Sequence, residues 1–571
     1  MIFTSRRPST LPQPVIPSWH LAWGCDAPHQ PDALVTAGAV PEVSPGGRFA
    51  VVGDIWLTNE RSLSGRLGRT TAANSWQLVA QMWERWGSDC IGMLEGAFAV
   101  AVWDREEGKL WLGRDRAGAS TLYYTTTGPV QRVAPRLSTL NPYHSRELDL
   151  IALRDYLACA FVPGERTMWQ QVRELPPGTL ICLGVDREPQ PYWQLGVDIQ
   201  NTTLSLAQYA AQLRLLLEQI VTESLPVDEP VGAYLSGGLD SSCVTAIAAK
   251  LHPQPIHTYS IHFGSDYPNE LEFSSLVASH CGTHHHIIEI TPQQMWELLP
   301  ITMANLDDPI GDPLTVPNYI MGQIARQTVT VIFNGEGGDP CFAGPKNKPM
   351  LLDALYSQIA TASSLESDYS SDKKIEAYLN SFQKCFPDLP QLLQPDIWAA
   401  VQKEPSLFAP HLTAADASYL NSLMLLNIRY KGADHILTKV NNMTRASMLE
   451  ARSPLFDQRI VELSLQIPPQ YKLAGADEKA VLKQAVADLL PETILTRPKS
   501  GMMVPVNLWF AQQWRRQARS LLLNKQAAIA PYLNQQFIKN WLDYRGDTWR
   551  RYGVKLWLLT SLEIWLQVNG K

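Results

Sequence analysis

The sequence predicts a two-domain α/β protein, with antiparallel sheets and a few helices in the first third and a parallel sheet wound with helices in the rest. Three observations predict it. From residue 48 to about 185, short apolar runs alternate with turn residues, as in strands joined by tight connections. A polar stretch over 186–203, DREPQPYWQLGVDIQNTT, then interrupts the pattern and reads as a linker. Beyond it, strand-length apolar runs alternate with helical patterns, which implies parallel strands joined by crossover helices.

The elements follow in order. Residues 1–45 are rich in Pro and Gly and carry few periodic segments. RFAVVGDIWL, GAFAVAVWD, KLWLGRD, STLYYT and GTLICLG read as strands. Between the first two, SWQLVAQMWERWG (75–87) reads as an amphipathic helix with Leu78, Met82 and Trp86 on one stripe. SLAQYAAQLRLLLEQIVTESL (204–224) is a long helical pattern, and PVGAYL, PIHTYSIHF and TVTVIFNG are the strands after it. From about 350 the signal is mainly helical and closes on KLWLLTSLEIWLQV. The boundaries expected are 1–190 and 203–571, each long enough to bury a core of its own.

Composition excludes several classes. The 571 residues are 45% hydrophobic and 18% charged, as in an ordinary globular chain. A net charge of −7 argues against nucleic acid as a partner, because phosphate binding needs a basic face. No apolar run reaches the roughly 18 residues of a membrane span, and MIFTSRRPSTLPQPV lacks the apolar centre of a secretory signal. The eight cysteines form no C-x-x-C pair, which points to reduced thiols and a cytoplasmic location.

Two loops carry the chemistry. In VGAYLSGGLDSSCV (231–244) a buried strand ends near Leu235 and a helix starts near Asp240. Gly237 and Gly238 permit a tight turn, and the helix start offers unpaired N–H groups with a positive dipole end to an anion. Asp240 is placed to cap the helix or to hold Mg²⁺. The Gly-Lys-Ser/Thr ending of a Walker loop is missing, and an ordinary capped turn is the competing account. TVTVIFNGEGGDP (328–340) repeats the design: a buried strand, a Gly-rich loop, an acid. In a parallel sheet both loops lie at the carboxyl ends of strands, where ligands bind. Asp240 and Asp339 are then the two carboxylates that one Mg²⁺ needs between phosphates.

With these residues in view, SGGLDSS resembles the pyrophosphatase loop (PP-loop) of enzymes that adenylate a substrate and release pyrophosphate. The chain as a whole resembles the asparagine synthetase family. GDIWLTN, EGAFAVAVWD and RDRAGASTLYY look like its N-terminal amidohydrolase (Ntn) domain, and FVPGERTMWQQVRELPPG (161–178) like its connecting segment. SGGLDSS, LDDPIGDPLTVP (306–317), NGEGGD (334–339), MLEARSPLFD (448–457) and LPETILTRPKSG (490–501) match its synthetase part in order. The resemblance implies an Ntn-type β-sandwich with helices, followed by an adenine-nucleotide α-hydrolase-like domain with a helical C-terminal part. It implies ATP and Mg²⁺ as cofactors. Ser236, Gly237, Gly238, Leu239, Asp240, Ser241 and Ser242 take the pyrophosphate of ATP. Asp240 and Asp339 take the metal. Leu235, Ser260 and Gly335 stand where family members hold adenine and ribose. Lys499 stands where a lysine offsets charge on the phosphoryl group, and Lys479 at another commonly basic position, with a solvated helix lysine as the plain alternative. Glu336 and Glu450 are acids associated with the amine nucleophile, which must lose a proton. For Glu450 a structural ion pair with Arg452 is the alternative.

The chain also departs from the family. Glutamine-using members carry a nucleophilic cysteine after the initiator methionine, where this chain has Ile2. The family's Asn-Gly-Glu reads Val52-Gly53-Asp54, and its Ser-Asp-Thr-Glu reads Asn74-Ser75-Trp76-Gln77. The expectation is an N-terminal domain that serves as scaffold without glutaminase activity. The amine then comes from free ammonia or from the substrate itself. Three relatives fit: a β-lactam synthetase, a lasso-peptide macrolactam cyclase, and an ammonia-using amide synthetase. Glu336 occupies a position that looks to be tyrosine in the first. The cyclase is favoured, with a precursor-peptide protease and a leader-binding protein as partners and neither nucleic acid nor membrane. Pro340 and Asn441-Asn442 replace the family's usual acid and Asp-Arg, placed near the acceptor pocket. A non-catalytic binding module is the remaining alternative, disfavoured because both aspartates and the lysine are kept.

Overall fold

The computed structural model describes residues 19–24, 39–68, 74–128, 130–196, 204–226, 228–344, 347–352, 371–413, 418–474, 477–498, 502–547 and 550–570. Its N-terminal part holds β1 (Leu21–Gly24), β2 (Glu42–Val43), β3 (Phe49–Leu57), β4 (Gly96–Asp104), β5 (Lys109–Arg114), β6 (Tyr123–Thr125), β7 (Val130–Ala134), β8 (Val172–Glu174), β9 (Thr179–Leu183) and β10 (Gln190–Pro191). They form two antiparallel sheets, β1-β7-β6-β8 and β10-β9-β5-β4-β3-β2. The longest pairing runs from Phe49 opposite Asp104 to Leu57 opposite Gly96.

Period-two alternation sends the side chains of β3 and β4 to two cores. Ala50, Val52, Ala99, Ala101 and Trp103 face the second sheet and meet Leu122, Tyr124 and Val133. Phe49, Val51, Phe98, Val100 and Val102 face the helix α1 (Ser75–Trp86) and meet its Leu78, Val79, Met82 and Trp83. Both faces are covered, so the sequence of these strands is nearly continuously apolar. Asn74 caps α1 by accepting from the Gln77 N–H. On the far side, α2 (Leu150–Cys159), capped by Asp149, joins the core that reaches into the C-terminal part. The N-terminal domain is thus a helix–sheet–sheet–helix stack.

The C-terminal part opens on α3 (Leu206–Ser224), whose Ser205 and Gln208 form a reciprocal capping box. Five parallel strands follow: β11 (Val231–Tyr234), β12 (His257–His262), β13 (His284–Glu289), β14 (Val331–Phe333) and β15 (Glu450–Arg452). Their order is β13-β12-β11-β14-β15. From β11 the next strand in sequence lies on one side and β14 on the other. The loops after β11 and β14 therefore sit together at the topological switch point, where ligands bind in open parallel sheets. The helix α4 (Leu239–Leu251) leads away from β11, and the chain closes on α5 (Tyr552–Asn569). Among the described residues, no helix is long and apolar enough to cross a membrane.

Several elements differ from the sequence expectation. β13 is HHHIIE and β15 is EAR, and neither is apolar enough to signal a strand; each lies at an edge of the sheet. β1 lies in the Pro- and Gly-rich start. The stretch expected as linker is partly built in: Gln190–Pro191 pairs with β9, and Trp193 Nε1 donates to Glu462 of the C-terminal part at 2.7 Å.

The two parts share a buried interface. Tyr156 donates to the Leu558 carbonyl at 2.9 Å, and Trp169 packs on Trp565. Arg136 pairs with Asp307 at 2.9 Å with both side chains almost wholly buried. The Met168 N–H donates to Asp308 at 2.8 Å.

Candidate active site

The loop after β11 is organised by its own serines. The Ser236 N–H donates to Ser241 Oγ at 3.2 Å, the two hydroxyls lie 3.0 Å apart, and the Gly238 N–H reaches Ser236 Oγ at 3.3 Å. Gly238 is the N-cap of α4 and makes no side-chain cap bond. Asp240, expected as a possible cap, is not one: it lies in the first turn with its carboxylate turned to a lysine. The start of α4 thus carries no side-chain cap bond, and its positive dipole end is suited to an anion.

The glycines are needed where loops touch. A Cβ on Gly335 would lie 2.4 Å from the Ser241 nitrogen and 2.6 Å from the Asp240 carbonyl carbon. A Cβ on Gly338 would strike the Asp240 carboxylate at 2.2 Å. Gly237 has φ +77° and Gly337 φ +110°, both in the region that side chains rarely adopt. Gly335, one of the positions that the resemblance places at adenine and ribose, packs directly against the backbone of the β11 loop. Leu235 and Ser260 are also buried, and Ser260 Oγ donates to the Leu235 carbonyl at 2.5 Å. They fix the carboxyl ends of β11 and β12 beneath the loop. Ser242 is buried in α4, and its hydroxyl finds no partner among the described residues.

Asp240 and Asp339 converge on one ammonium. Lys479 Nζ lies 2.7 and 2.5 Å from the two Asp240 oxygens and 2.6 Å from Asp339 Oδ1. Lys479 enters between β-paired segments and the helix Ala480–Ala485, with φ +57°. Its side chain is 4% exposed, against 17% for Asp240 and 38% for Asp339. Two acceptor-only carboxylates already gathered about one positive charge fit the divalent cation that the sequence implied. Such an ion would be held by Asp240 and Asp339 and would supply charge neutralisation between phosphates.

The other predicted residues divide. Glu336 lies in the same loop, its N–H bonded to Asn334 Oδ1 at 3.1 Å. Its charge acts on Lys439, which pairs with Asp312 at 2.6 Å. Burial alone would lower the Lys439 pKa, but Asp312 and then Glu336 hold it up. Burial likewise opposes the Asp312 carboxylate, and Lys439 and His435 still hold it well below the usual range. Glu450 pairs with Arg452 at 2.6 Å, the structural alternative, and its side chain is 66% exposed on the wall of a cavity between the two domains. Lys499 lies outside the described residues. Two positions before it, Arg497 donates to the Gly237 carbonyl at 3.1 Å and pairs with Glu270 at 2.5 Å, so this segment adjoins the loop.

Sequence reasoning missed Arg497, Lys439, Asp312 and His435. Arg497 and Asp312 stand inside quoted motifs, RPKSG and LDDPIGDPLTVP, and that was their signal. His435 lies in an irregular helix, Asn427–Leu437, and Lys439 just after it, with no signal in the sequence.

The inter-domain cavity has a volume of about 460 Å³ and lies between Asp54, Trp56 and Ala119 on one side and Asn441, Arg445 and Arg452 on the other. Asp54 accepts from Trp19 Nε1 at 3.0 Å and pairs with Arg445 at 3.3 Å. The Arg452 guanidinium lies 4.1 Å from the centroid of Trp56. Asn441, one of the positions expected near the acceptor pocket, lines this cavity and donates to the Ala119 carbonyl at 2.6 Å.

A parallel sheet with a phosphate-type loop and a second acidic loop at its switch point, joined to a two-sheet domain, defines a nucleotide-dependent enzyme of the amidotransferase–synthetase class. The asparagine synthase family model matches residues 212–567, and a glutamine amidotransferase domain model matches residues 34–193. The chain belongs to the asparagine synthase family. It is 24% identical over 515 residues to asparagine synthetase [glutamine-hydrolyzing] 1 of Bacillus subtilis, covering 86% of this chain and 80% of that one. Among solved structures it has a local likeness to the glutamine phosphoribosylpyrophosphate amidotransferase of B. subtilis (TM-score 0.22, 10% identity, 44% of this chain, 73% of that one). It has another to the NH3-dependent NAD synthetase of Campylobacter jejuni (TM-score 0.19, 13% identity, 35% and 93%). The family makes the protein an ATP-dependent amide ligase.

Proposed function

We propose that the protein uses ATP and Mg²⁺ to adenylate a carboxylate, releasing pyrophosphate, and that an amine not drawn from glutamine then displaces AMP. A carboxylate oxygen attacks the α-phosphorus and pyrophosphate leaves. The amine nitrogen attacks the carbonyl carbon, gives up a proton, and AMP leaves with the bonding pair. The observation that carries this reading is the meeting of Asp240 and Asp339 about Lys479 at the switch point. The start of α4 faces the phosphates, Lys499 offsets charge on the phosphoryl group, and Glu336 takes the amine proton.

Three features support an N-terminal domain without glutaminase activity. Asp54 and Trp56 are engaged with Arg445 and Arg452 across the cavity. Among the described residues of this domain, the cysteines Cys90, Cys159 and Cys182 are buried. Burial pushes all three thiols up, Cys182 to about 11, the reverse of what a nucleophilic thiolate needs.

Within this class the acceptor is a peptide side-chain carboxylate, attacked by the peptide's own N-terminal amine to close a macrolactam. Pro340 and Asn441-Asn442 in place of the family's usual residues support an acceptor other than aspartate. A protease that frees the amine and a leader-binding protein are the partners this implies.

The test is pyrophosphate release with Mg·ATP against leader-free peptides and against aspartate with ammonia. Release should require Mg²⁺ and fall at least about 100-fold in Asp240→Asn, the scale of losing one transition-state contact. Full release by that variant removes Asp240 from the site. Glutamine should yield no glutamate in any mixture, and measurable glutamate overturns the scaffold role.

A further inference from the structure

The ammonium of Lys479 stands between the two carboxylates that a divalent cation would use. It touches both within 2.7 Å and is almost wholly buried, so it fills the space between them. Its three donors meet acceptors on both aspartates, which sets these carboxylates facing one another across the gap between the β11 and β14 loops. Without a cation there, two carboxylates at this separation repel. A metal and this ammonium cannot share the position. Lysine is also held in left-handed backbone, φ +57° and ψ 36°, an uncommon conformation for a side chain with a Cβ. The Lys479 N–H is fixed to the Lys472 carbonyl at 2.7 Å, so the ammonium is delivered from a defined, strained point of the chain.

We propose that Lys479 is a resident counter-ion that keeps free divalent metal out of the Asp240–Asp339 site, so that metal enters only together with the phosphates of the nucleotide. This rests on the ligase reading for the identity of the nucleotide but not for the competition itself. The lysine offsets one unit of the carboxylates' negative charge, which weakens the pull on a hydrated divalent ion. A nucleotide brings negative phosphates, and these offer the ammonium new partners when the metal takes the carboxylates. The lysine is then a positioning residue before the nucleotide binds and a phosphate contact afterwards. In this account the sequence's alternative for Lys479, a solvated helix lysine, is excluded by its burial.

Removing a positive charge from the nucleotide site should therefore improve metal binding. The full-length protein is titrated with Mn²⁺ in the absence of nucleotide, and free Mn²⁺ is read by electron paramagnetic resonance. Lys479→Met should bind one Mn²⁺ at least tenfold more tightly than the unaltered protein. The gain should disappear in Lys479→Met/Asp240→Asn, and Lys479→Arg, which keeps the charge, should resemble the unaltered protein. Lys479→Met should also show a thermal midpoint that rises with Mg²⁺, whereas the unaltered midpoint stays flat. Equal or weaker Mn²⁺ binding by a folded Lys479→Met overturns the proposal. If that variant does not fold, Lys479→Gln takes its place. The unaltered protein supplies a further check: tight nucleotide-free binding of Mn²⁺ that Asp240→Asn abolishes also overturns it. None of these titrations contains ATP or a carboxylate substrate, so failure to release pyrophosphate refutes the ligase reading and leaves this comparison intact.

Discussion

The Lys472 side chain is wholly buried and donates to Asn421 Oδ1 at 3.0 Å and to the Ser464 carbonyl at 2.7 Å. Burial pulls its pKa down to about 7, with the nearby Cys341 opposing. In the unfolded chain a lysine titrates at about 10.4. Below about pH 7 both states hold the proton and this residue adds no slope. Between about 7 and 10 the unfolded chain holds more protons than the folded one, so stability rises with pH, by up to about 1.4 kcal/mol per unit. Lys472→Met should lose that slope. Urea midpoints at pH 7 and pH 9 check it: the unaltered protein should gain more on going to pH 9 than the variant, and equal gains refute the assignment. Single residues were legible in the sequence where a motif framed them. Asp240, Asp339 and Lys479 meet in space although more than 200 positions separate the first from the last. Asp312 and Lys439 are as close to one another, but nothing in their spacing signals it.

The two site loops show why elements at the sheet centre were easier to read than those at its edges. β11 and β14 are buried on both faces, so VGAY and VIF stand out as apolar runs before glycine. β13 and β15 each pair on one side only and tolerate His, Glu and Arg, which hid them. The strand within the expected linker was hidden for a similar reason: Gln190–Pro191 is an exposed edge pair, and its polarity is that of a loop. The contact between the loops gives a prediction at this scale. Gly335→Ala introduces a Cβ at 2.4 Å from the Ser241 nitrogen, an atom of backbone that cannot rotate away. The β11 loop must shift, and with it Asp240 and the start of α4. A displacement of about 1 Å at a reacting group costs on the order of 100-fold. Gly335→Ala should therefore lose pyrophosphate release by about that factor while keeping its circular dichroism spectrum. Gly238→Ala is the comparison, since a Cβ there meets only Ser236 Oγ at 3.4 Å. It should leave Mn²⁺ and thermal behaviour unchanged, so that any loss of activity reports the open, ligand-facing side of the loop.

At the scale of the molecule, the N-terminal domain is fastened to the synthetase domain by buried polar contacts as well as by packing. The two-domain division was legible because the periodicity changes near residue 203, but the fastening was not, since Arg136 and Asp307 have the composition of surface residues and become a pair only in the folded chain. Asp307 Oδ1 accepts from Arg136 Nε at 2.9 Å and from the Leu137 N–H at 2.9 Å, and its side chain has no exposure. Arg136 also donates to the Asn305 carbonyl at 2.6 Å. Removing one partner of such a pair leaves a buried charge without compensation, which costs about 3–5 kcal/mol. Asp307 belongs to the synthetase domain and Arg136 to the other, so the loss falls on their interface and on both domains at once. Arg136→Met should lower a single calorimetric transition, with both domains still unfolding together. Arg136→Met/Asp307→Asn, in which no charge is stranded, should recover part of the loss. A variant whose N-terminal domain melts alone, with the synthetase transition unmoved, would show that the domains are independent and that the scaffold role has no physical basis in this pair.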